Sequence, residues 1–180
     1  MTTARRLAVA RADSAAFGAT QKDVPDGLHA RRRTMTLQLA RLEAAIDGIE
    51  PGPAQALGTV YLQALLVLRD LLVRATGATA PEPTASSFER RLGDAVLRTY
   101  EWALGQIASV RGALKGETCN SPPAKLRALT VFDDLSNECS PANDAPVREL
   151  TRTLRLIDYT LYRLIYLRNR LEGALGTPRG

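Results

Sequence analysis

The stretch VRELTRTLRLIDYTLYRLIYLRNRL, residues 147–171, decides the fold class, because its apolar residues return every three or four positions. Successive residues of an α-helix are about 100° apart around the axis, so this spacing gathers them into one sector. The sector continues just past the stretch and contains Val147, Leu150, Leu154, Ile157, Leu161, Leu164, Leu171 and Leu175. The pattern therefore predicts a long helix over residues 145–175 whose apolar seam faces a core.

A second sector of the same predicted helix carries arginine and tyrosine. It spans roughly 100° of arc, centred almost opposite the apolar seam. Its members, which we call the Tyr/Arg face, are Arg148, Arg152, Arg155, Tyr159, Tyr162, Arg163, Tyr166 and Arg170. Asp144 is the only acid in this sector, and it lies at the very start. The three tyrosines are thus predicted to point away from the main core seam.

Besides a bare solvated face, which is usual for a run of charges but less so with three tyrosines, three interpretations of the Tyr/Arg face are open from the sequence. In the first, another part of the chain, such as residues 1–17, covers the face. In the second, a protein partner or a second copy covers it, since tyrosine and arginine are enriched where interfaces carry their binding energy. In the third, the face contacts nucleic acid, because arginines at i, i+4 and i+7 can follow a phosphate backbone and tyrosine rings can stack on unpaired bases.

The rest of the chain adds three long helical segments and a short one. Residues 26–49 and 53–76 are separated by EPGP, because proline cannot continue the helical hydrogen-bond ladder. A third segment ends near Leu114, and a short helix is predicted over residues 124–136. Together these elements predict an all-α fold, a helical bundle of four long helices plus a short helix and an N-terminal arm.

The predicted organisation has one principal domain. Residues 1–25 form the N-terminal arm or a short helix, residues 26–176 form a single helical-bundle domain, and residues 177–180 form a tail. No window approaches 18 uninterrupted apolar residues, so no membrane span is predicted. The N-terminus lacks the apolar run of a secretion signal, and we expect a cytoplasmic protein.

Two features concern packing inside the bundle. Arg168 occupies a position on the apolar seam, where an unpaired buried guanidinium would be very costly. It needs an acid partner, unless the bundle opens at that end, and the candidates are Glu43, Asp47 and Asp94. Glycine also recurs along the third helix, where it either permits close helix approach or only weakens the helix, at Gly93, Gly105 and Gly112.

Composition bears on function mainly by exclusion. His29 is the only histidine, so a His-rich metal site and a two-histidine mechanism are excluded, and no glycine-rich phosphate loop is present. Cys119 and Cys139 are expected to be free thiols. The alternative, a disulfide between them, would close a loop of about 20 residues and contribute roughly 3 kcal/mol. We expect no catalytic residues, no metal and no cofactor, and therefore no enzyme.

The chain is basic, with a net charge of +5, and most of its basic residues are arginine. A basic balance favours polyanionic partners or an acidic protein surface, and the guanidinium group suits bidentate phosphate contacts. Arg31, Arg32 and Arg33 form a second cluster near the start of the first long helix, where helix N-termini also attract anions. This cluster is either a second phosphate-binding patch or a set of solvated charges beside a linker.

The segment RNRL, Arg168–Leu171, resembles the start of the Arg-Asn-x-x-x-His motif of the HEPN family of helical-bundle ribonucleases. That motif requires a histidine a few positions further on, where this chain has Gly173 and Ala174. We therefore do not expect a ribonuclease of this kind.

In length, all-α make-up, basic charge and lack of catalytic residues, the chain resembles the small helical subunits of CRISPR effector complexes, a likeness of class without a motif. The resemblance implies several copies stacked along a nucleoprotein filament, with basic faces towards RNA or a displaced DNA strand. We expect a non-catalytic subunit that contacts the backbone of RNA or single-stranded DNA in a larger assembly, beside other protein subunits that include copies of itself. The alternative is a protein-interaction module, a homo-oligomer or adaptor, that uses the Tyr/Arg face.

Overall fold

The structure is a computed structural model, and it describes residues 24–77, 86–117, 131–139 and 145–176. Helices account for nearly all of these residues. The helices in these ranges are α1 (Val24–Asp47), α2 (Pro53–Gly77), α3 (Ser86–Leu114), α4 (Val131–Cys139) and α5 (Ala145–Gly176). No strand occurs in the same ranges, so the predicted all-α bundle of four long helices and a short one is confirmed. Most of the predicted N-terminal arm, the tail and Cys119 lie outside the described residues.

The short helix differs most from its predicted boundaries. It was expected over residues 124–136, but α4 continues to Cys139, just before the Ser-Pro pair that follows it. Residues 124–130 lie outside the described part of the chain. Phe132 and Leu135 are buried and hold α4 against the bundle, while the Ser136 hydroxyl donates to the Asp133 carbonyl at 2.8 Å.

The junction between α1 and α2 is closed by a side chain as well as by proline. Pro53 begins α2, where its missing N–H costs nothing because the first helical N–H groups have no partner within the helix. The Gln55 amide reaches back and donates to the carbonyls of Ile46 and Ile49 at 3.3 and 3.4 Å. The Ile46 carbonyl also accepts from the Ile49 N–H at 3.3 Å, so the Gln55 side chain reinforces a turn that the backbone already forms after α1.

The core lies between α2 and its neighbours. α2 packs most extensively against α5 and also contacts α1 and α3, while α1 packs against α3, and the short α4 lies on α5 and touches α3. The largest fully buried side chains come from all five helices and include Tyr61, Tyr100, Phe132, Met35 and Leu154. α1 and α5 share no extensive contact, so they occupy different sides of the bundle.

α2 is the one helix in the described ranges that is long and apolar enough, by length and composition, to cross a membrane. A core helix of a soluble bundle has the same composition. Here α2 contacts three other long helices and buries Tyr61, Leu65, Leu68 and Leu72 against them. Packing within the bundle therefore accounts for part of its apolar surface, with 44 % of its most apolar window buried.

Close helix approach depends on a glycine of α2, not on the glycines of α3. A methyl group at Gly58 would lie 3.2 Å from the Ile46 side chain, so α1 and α2 touch where Gly58 has no side chain. Positions 93 and 105 of α3 face open space, and a methyl group at Gly112 would meet only the Glu117 side chain. Of the two alternatives for α3, weakening of the helix applies at Gly93 and Gly105.

Gly105→Ala is therefore expected to raise the free energy of unfolding by about 0.5–1 kcal/mol, because alanine restricts the unfolded chain and meets nothing in the folded one. Urea denaturation followed by circular dichroism measures this change. Gly58→Val serves as the opposite control, since its branched side chain would press on Ile46. A loss of stability in the Gly105→Ala variant would contradict the open space described at this position.

Candidate functional site

The structure places the Tyr/Arg face on the outside of the bundle. The seam of α5 is buried as predicted, with Leu154, Ile157 and Leu164 fully enclosed. Tyr159, Tyr162 and Tyr166 are 65, 45 and 59 % exposed, although tyrosine rings are usually covered to a much greater extent. The described helices therefore leave this face open, and residues 1–17, a predicted cover, lie outside the described part of the chain.

The arginines of the face are exposed and carry no acid partner within the described residues. Arg148, Arg152, Arg155 and Arg163 make no hydrogen bond or ion pair there. The nearest acids of α5 in sequence, Glu149, Asp158 and Glu172, fall outside the arc of the face. This arrangement differs from that of Arg91 in α3, which makes a two-pronged ion pair with Glu138 of α4 at 2.7 and 2.9 Å.

Tyr166 is the one tyrosine of the face with a partner on the face itself. The Arg170 guanidinium donates to the Tyr166 hydroxyl at 3.1 Å, and its central carbon lies 5.8 Å from the ring centre. A guanidinium group in this position is attracted to the electron-rich face of the tyrosine ring. The contact restricts the rotamers of both side chains and leaves the rest of the Tyr166 ring in solvent.

A groove of about 370 Å³ runs along the first half of the face. Its described lining comes from α5 alone and consists of Arg148, Thr151, Arg152, Arg155 and Leu156. The Thr151 hydroxyl already donates to the Val147 carbonyl at 2.8 Å, so the free donors in the groove are the guanidinium groups. The arrangement can hold an anion among three cationic side chains, with 43 % exposed Leu156 as an apolar edge.

The sequence pattern did not identify Thr151 and Leu156 as site residues. Leu156 lies about 80° from Arg148 on the helical wheel, just beyond the predicted arc and well away from the apolar seam. An apolar residue off the seam was the signal that could have identified it. Thr151 carried no such signal, because it is neither charged nor aromatic and lies about 60° from Arg148 on the helical wheel, outside the predicted arc.

The partner of Arg168 is not among the three acids considered from the sequence. Arg168 Nε donates to the Glu172 carboxylate of the next turn at 2.8 Å, and its other nitrogens donate to Gln106 and, at 3.0 Å, to Ser109. Only 12 % of the Arg168 side chain is exposed, whereas Glu172 is about half exposed. The ion pair lies at the rim of the core, where one acid four residues further along the helix can reach the guanidinium.

The cluster Arg31–Arg33 is exposed but is not brought next to the Tyr/Arg face. Arg31 pairs with Glu101 of α3 at 3.1 Å, which leaves Arg32 and Arg33 without an acid partner in the described ranges. These residues belong to α1, which shares no extensive contact with α5. Any anion bound at this cluster would therefore occupy a separate surface.

The contact between α5 and α4 lies next to the groove and contains two groups with raised pKa values, one from each helix. Burial raises the pKa of the free Cys139 thiol, which lies beside Thr151, so the thiol stays protonated at neutral pH. Burial and the nearby Asp133 carboxylate raise the pKa of Asp158, and one Asp158 carboxylate oxygen is buried without a hydrogen-bond partner. The described residues contain no group of three or more His, Cys, Asp or Glu side chains that could hold a metal ion.

Asp158→Asn is expected to stabilise the protein at pH 7 and to have a smaller effect as the pH falls towards 3.8, the usual pKa of the group. The folded state binds this proton more tightly than the unfolded state, so the stability that Asp158 contributes is present at low pH and is lost as the pH rises through its raised pKa. Urea denaturation of both proteins between pH 4 and 7 measures the difference. A stability difference that does not change with pH would contradict the burial of this carboxylate.

The fold and the face together define an all-α bundle with a surface of tyrosine and arginine that the described helices leave uncovered. No family model, curated protein or solved structure matches the chain. The geometry of the face is therefore the basis for assigning a function.

Proposed function

We propose that the protein is a non-catalytic subunit that contacts the backbone of RNA or single-stranded DNA through the Tyr/Arg face, within a larger nucleoprotein assembly. The observation that carries this proposal is the composition of one exposed helix face. Five arginines and three tyrosines lie there without an acid in the arc among the described residues. A surface of this kind favours a polyanion, because every charged group on it has the same sign.

The dimensions of the face fit an extended strand. At 1.5 Å per residue, Arg148 and Arg170 are about 33 Å apart along the helix axis. Arginines that neutralise successive phosphates release the counterions condensed on the nucleic acid, which favours binding without reading sequence. The tyrosine rings add stacking on unpaired bases. This stacking tolerates any sequence, because every base has two aromatic faces.

A second function, that of a protein-interaction module, is favoured by the exposed apolar surface. Leu156 lies one turn before Tyr159 on the helix, and Tyr162 follows one turn later; all three side chains are more than 40 % exposed. Tyrosine and arginine are also the residues that most often dominate protein interfaces. In this case the face would be buried against a second copy or another protein, with little dependence on salt.

The dependence of binding on salt separates the two functions. With all five arginines on phosphates of a single strand, the slope of log K against log salt is expected to be about −3.5, which is roughly a 100-fold loss of affinity between 50 and 200 mM salt. Fluorescence anisotropy with a labelled 20-nucleotide strand measures the slope, and light scattering on nuclease-treated protein measures self-association. No binding at 50 mM salt, together with a discrete dimer whose mass is unchanged by salt, would contradict the nucleic-acid function.

A further inference from the structure

The Tyr/Arg face has two halves of different chemistry. The first, which we call the arginine half, consists of Arg148, Arg152 and Arg155 around the groove and contains no aromatic ring. The second, the tyrosine half, consists of Tyr159, Tyr162 and Tyr166 with Arg163 and Arg170. The two halves follow each other along α5 and divide between Arg155 and Tyr159, so a ligand that covers the whole face meets them in order.

The arginine half can hold phosphate but cannot distinguish one kind of nucleic acid from another. Its free donors are guanidinium groups, since the Thr151 hydroxyl is used within the helix. Guanidinium groups bind the non-bridging oxygens of phosphate, which single strands and duplexes share. This half therefore supplies affinity that depends on charge and is insensitive to base pairing.

The tyrosine half has the opposite property. Tyr159 and Tyr162 have no ring or hydrogen-bond partner in the described residues, and Arg170 holds only part of the Tyr166 surface. Tyr162 and Tyr166 are four residues apart, which places their Cβ atoms about 5–6 Å from each other on one side of the helix. A base can stack on such rings only when its own face is free, and in a duplex each base face is covered by its neighbour.

We propose that the arginine half binds backbone phosphates and that the tyrosine half selects unpaired bases, so that the ligand is a single strand laid along α5 and duplex binds only through its phosphates. This inference rests on the proposed function and adds to it the origin of strand selectivity. It assigns affinity and selectivity to different residues of the same helix. The two contributions can therefore be removed separately.

The test compares a labelled 20-nucleotide strand of mixed sequence with the 20-base-pair duplex of the same sequence, both by fluorescence anisotropy at 100 mM salt. The informative variant is Tyr159→Leu/Tyr162→Leu/Tyr166→Leu, which keeps apolar bulk but removes the aromatic faces. We expect it to lose about 100-fold or more in single-strand affinity, since stacking on each ring contributes at least roughly fivefold. Duplex affinity is expected to change by less than about twofold.

Two matched variants complete the experiment. Tyr159→Phe/Tyr162→Phe/Tyr166→Phe retains the rings and is expected to keep single-strand selectivity. Arg148→Ala/Arg152→Ala/Arg155→Ala is expected to weaken single strand and duplex by similar factors. Equal binding of both ligands by the wild-type protein, or equal losses for both in the leucine variant, would overturn the division of the face. Failure of the wild-type protein to bind either ligand would instead contradict the proposed function itself.

Discussion

The variant Arg152→Glu/Arg155→Glu/Arg163→Glu is expected to bind a single-stranded 20-mer on the order of 1,000-fold more weakly than the wild-type protein. A hydrogen bond to a charged group contributes about 1.5–3 kcal/mol, and three such contacts are replaced by repulsion. The slope of log K against log salt is expected to fall from about −3.5 to about −1.4, because two arginines remain on the face. Fluorescence anisotropy over a range of salt concentrations measures both quantities.

The matched control replaces three arginines outside the Tyr/Arg face with glutamate, which reverses their charge. Arg41, Arg74 and Arg98 lie on α1, α2 and α3, and all three are exposed. Because each reversal changes the charge by −2, both triple variants take the net charge from +5 to −1. The control is expected to retain most of the affinity, and equal losses in both variants would show that net charge rather than the Tyr/Arg face is responsible.

The largest effect on stability is expected from Leu154→Ala, which should lower the free energy of unfolding by about 2–5 kcal/mol. Leu154 is fully buried on the seam of α5, so its truncation removes buried apolar surface and leaves a cavity. Chemical denaturation at neutral pH measures the loss. Leu156→Ala is the control, because the same truncation is made two residues away on a side chain that is 43 % exposed.

We expect Leu156→Ala to change stability by less than about 0.5 kcal/mol, as is usual for exposed positions. The pair tests the orientation of α5 directly, because a rotation of the helix by half a turn would exchange the two effects. Similar losses in both variants would contradict the separation between the core seam and the Tyr/Arg face.

The orientation of α5 could be predicted from its sequence because helical periodicity is a local property. The positions of Leu154 and Tyr159 follow from counting at about 100° per residue, and no other part of the chain was needed. The end of α1 and the start of α2 were also predictable, since the prolines of EPGP cannot continue the first helix. The residues of the Tyr/Arg face could therefore be predicted without knowledge of the neighbouring helices.

Features that depend on which helices meet could not be predicted. Of the three partners of Arg168, Glu172 lies one turn further along the same helix and could have been named from that spacing, whereas Gln106 and Ser109 come within reach only because α5 lies against α3. The same holds for glycine, since Gly58 is the position of closest approach only because α1 crosses α2 there. The groove beside Arg152 is likewise a property of the surface and has no sequence pattern of its own.

The most direct test of the central claim is photochemical cross-linking of the nuclease-treated protein to a single-stranded RNA that contains 4-thiouridine, followed by trypsin digestion and mass spectrometry. The account predicts that RNA is attached to the tryptic peptides 156–163 and 164–168, which contain Tyr159, Tyr162 and Tyr166. The peptides with Tyr61 and Tyr100 provide internal controls, because both rings are buried. Cross-links confined to peptides of α1, α2 or α3, with the two α5 peptides unmodified, would contradict it.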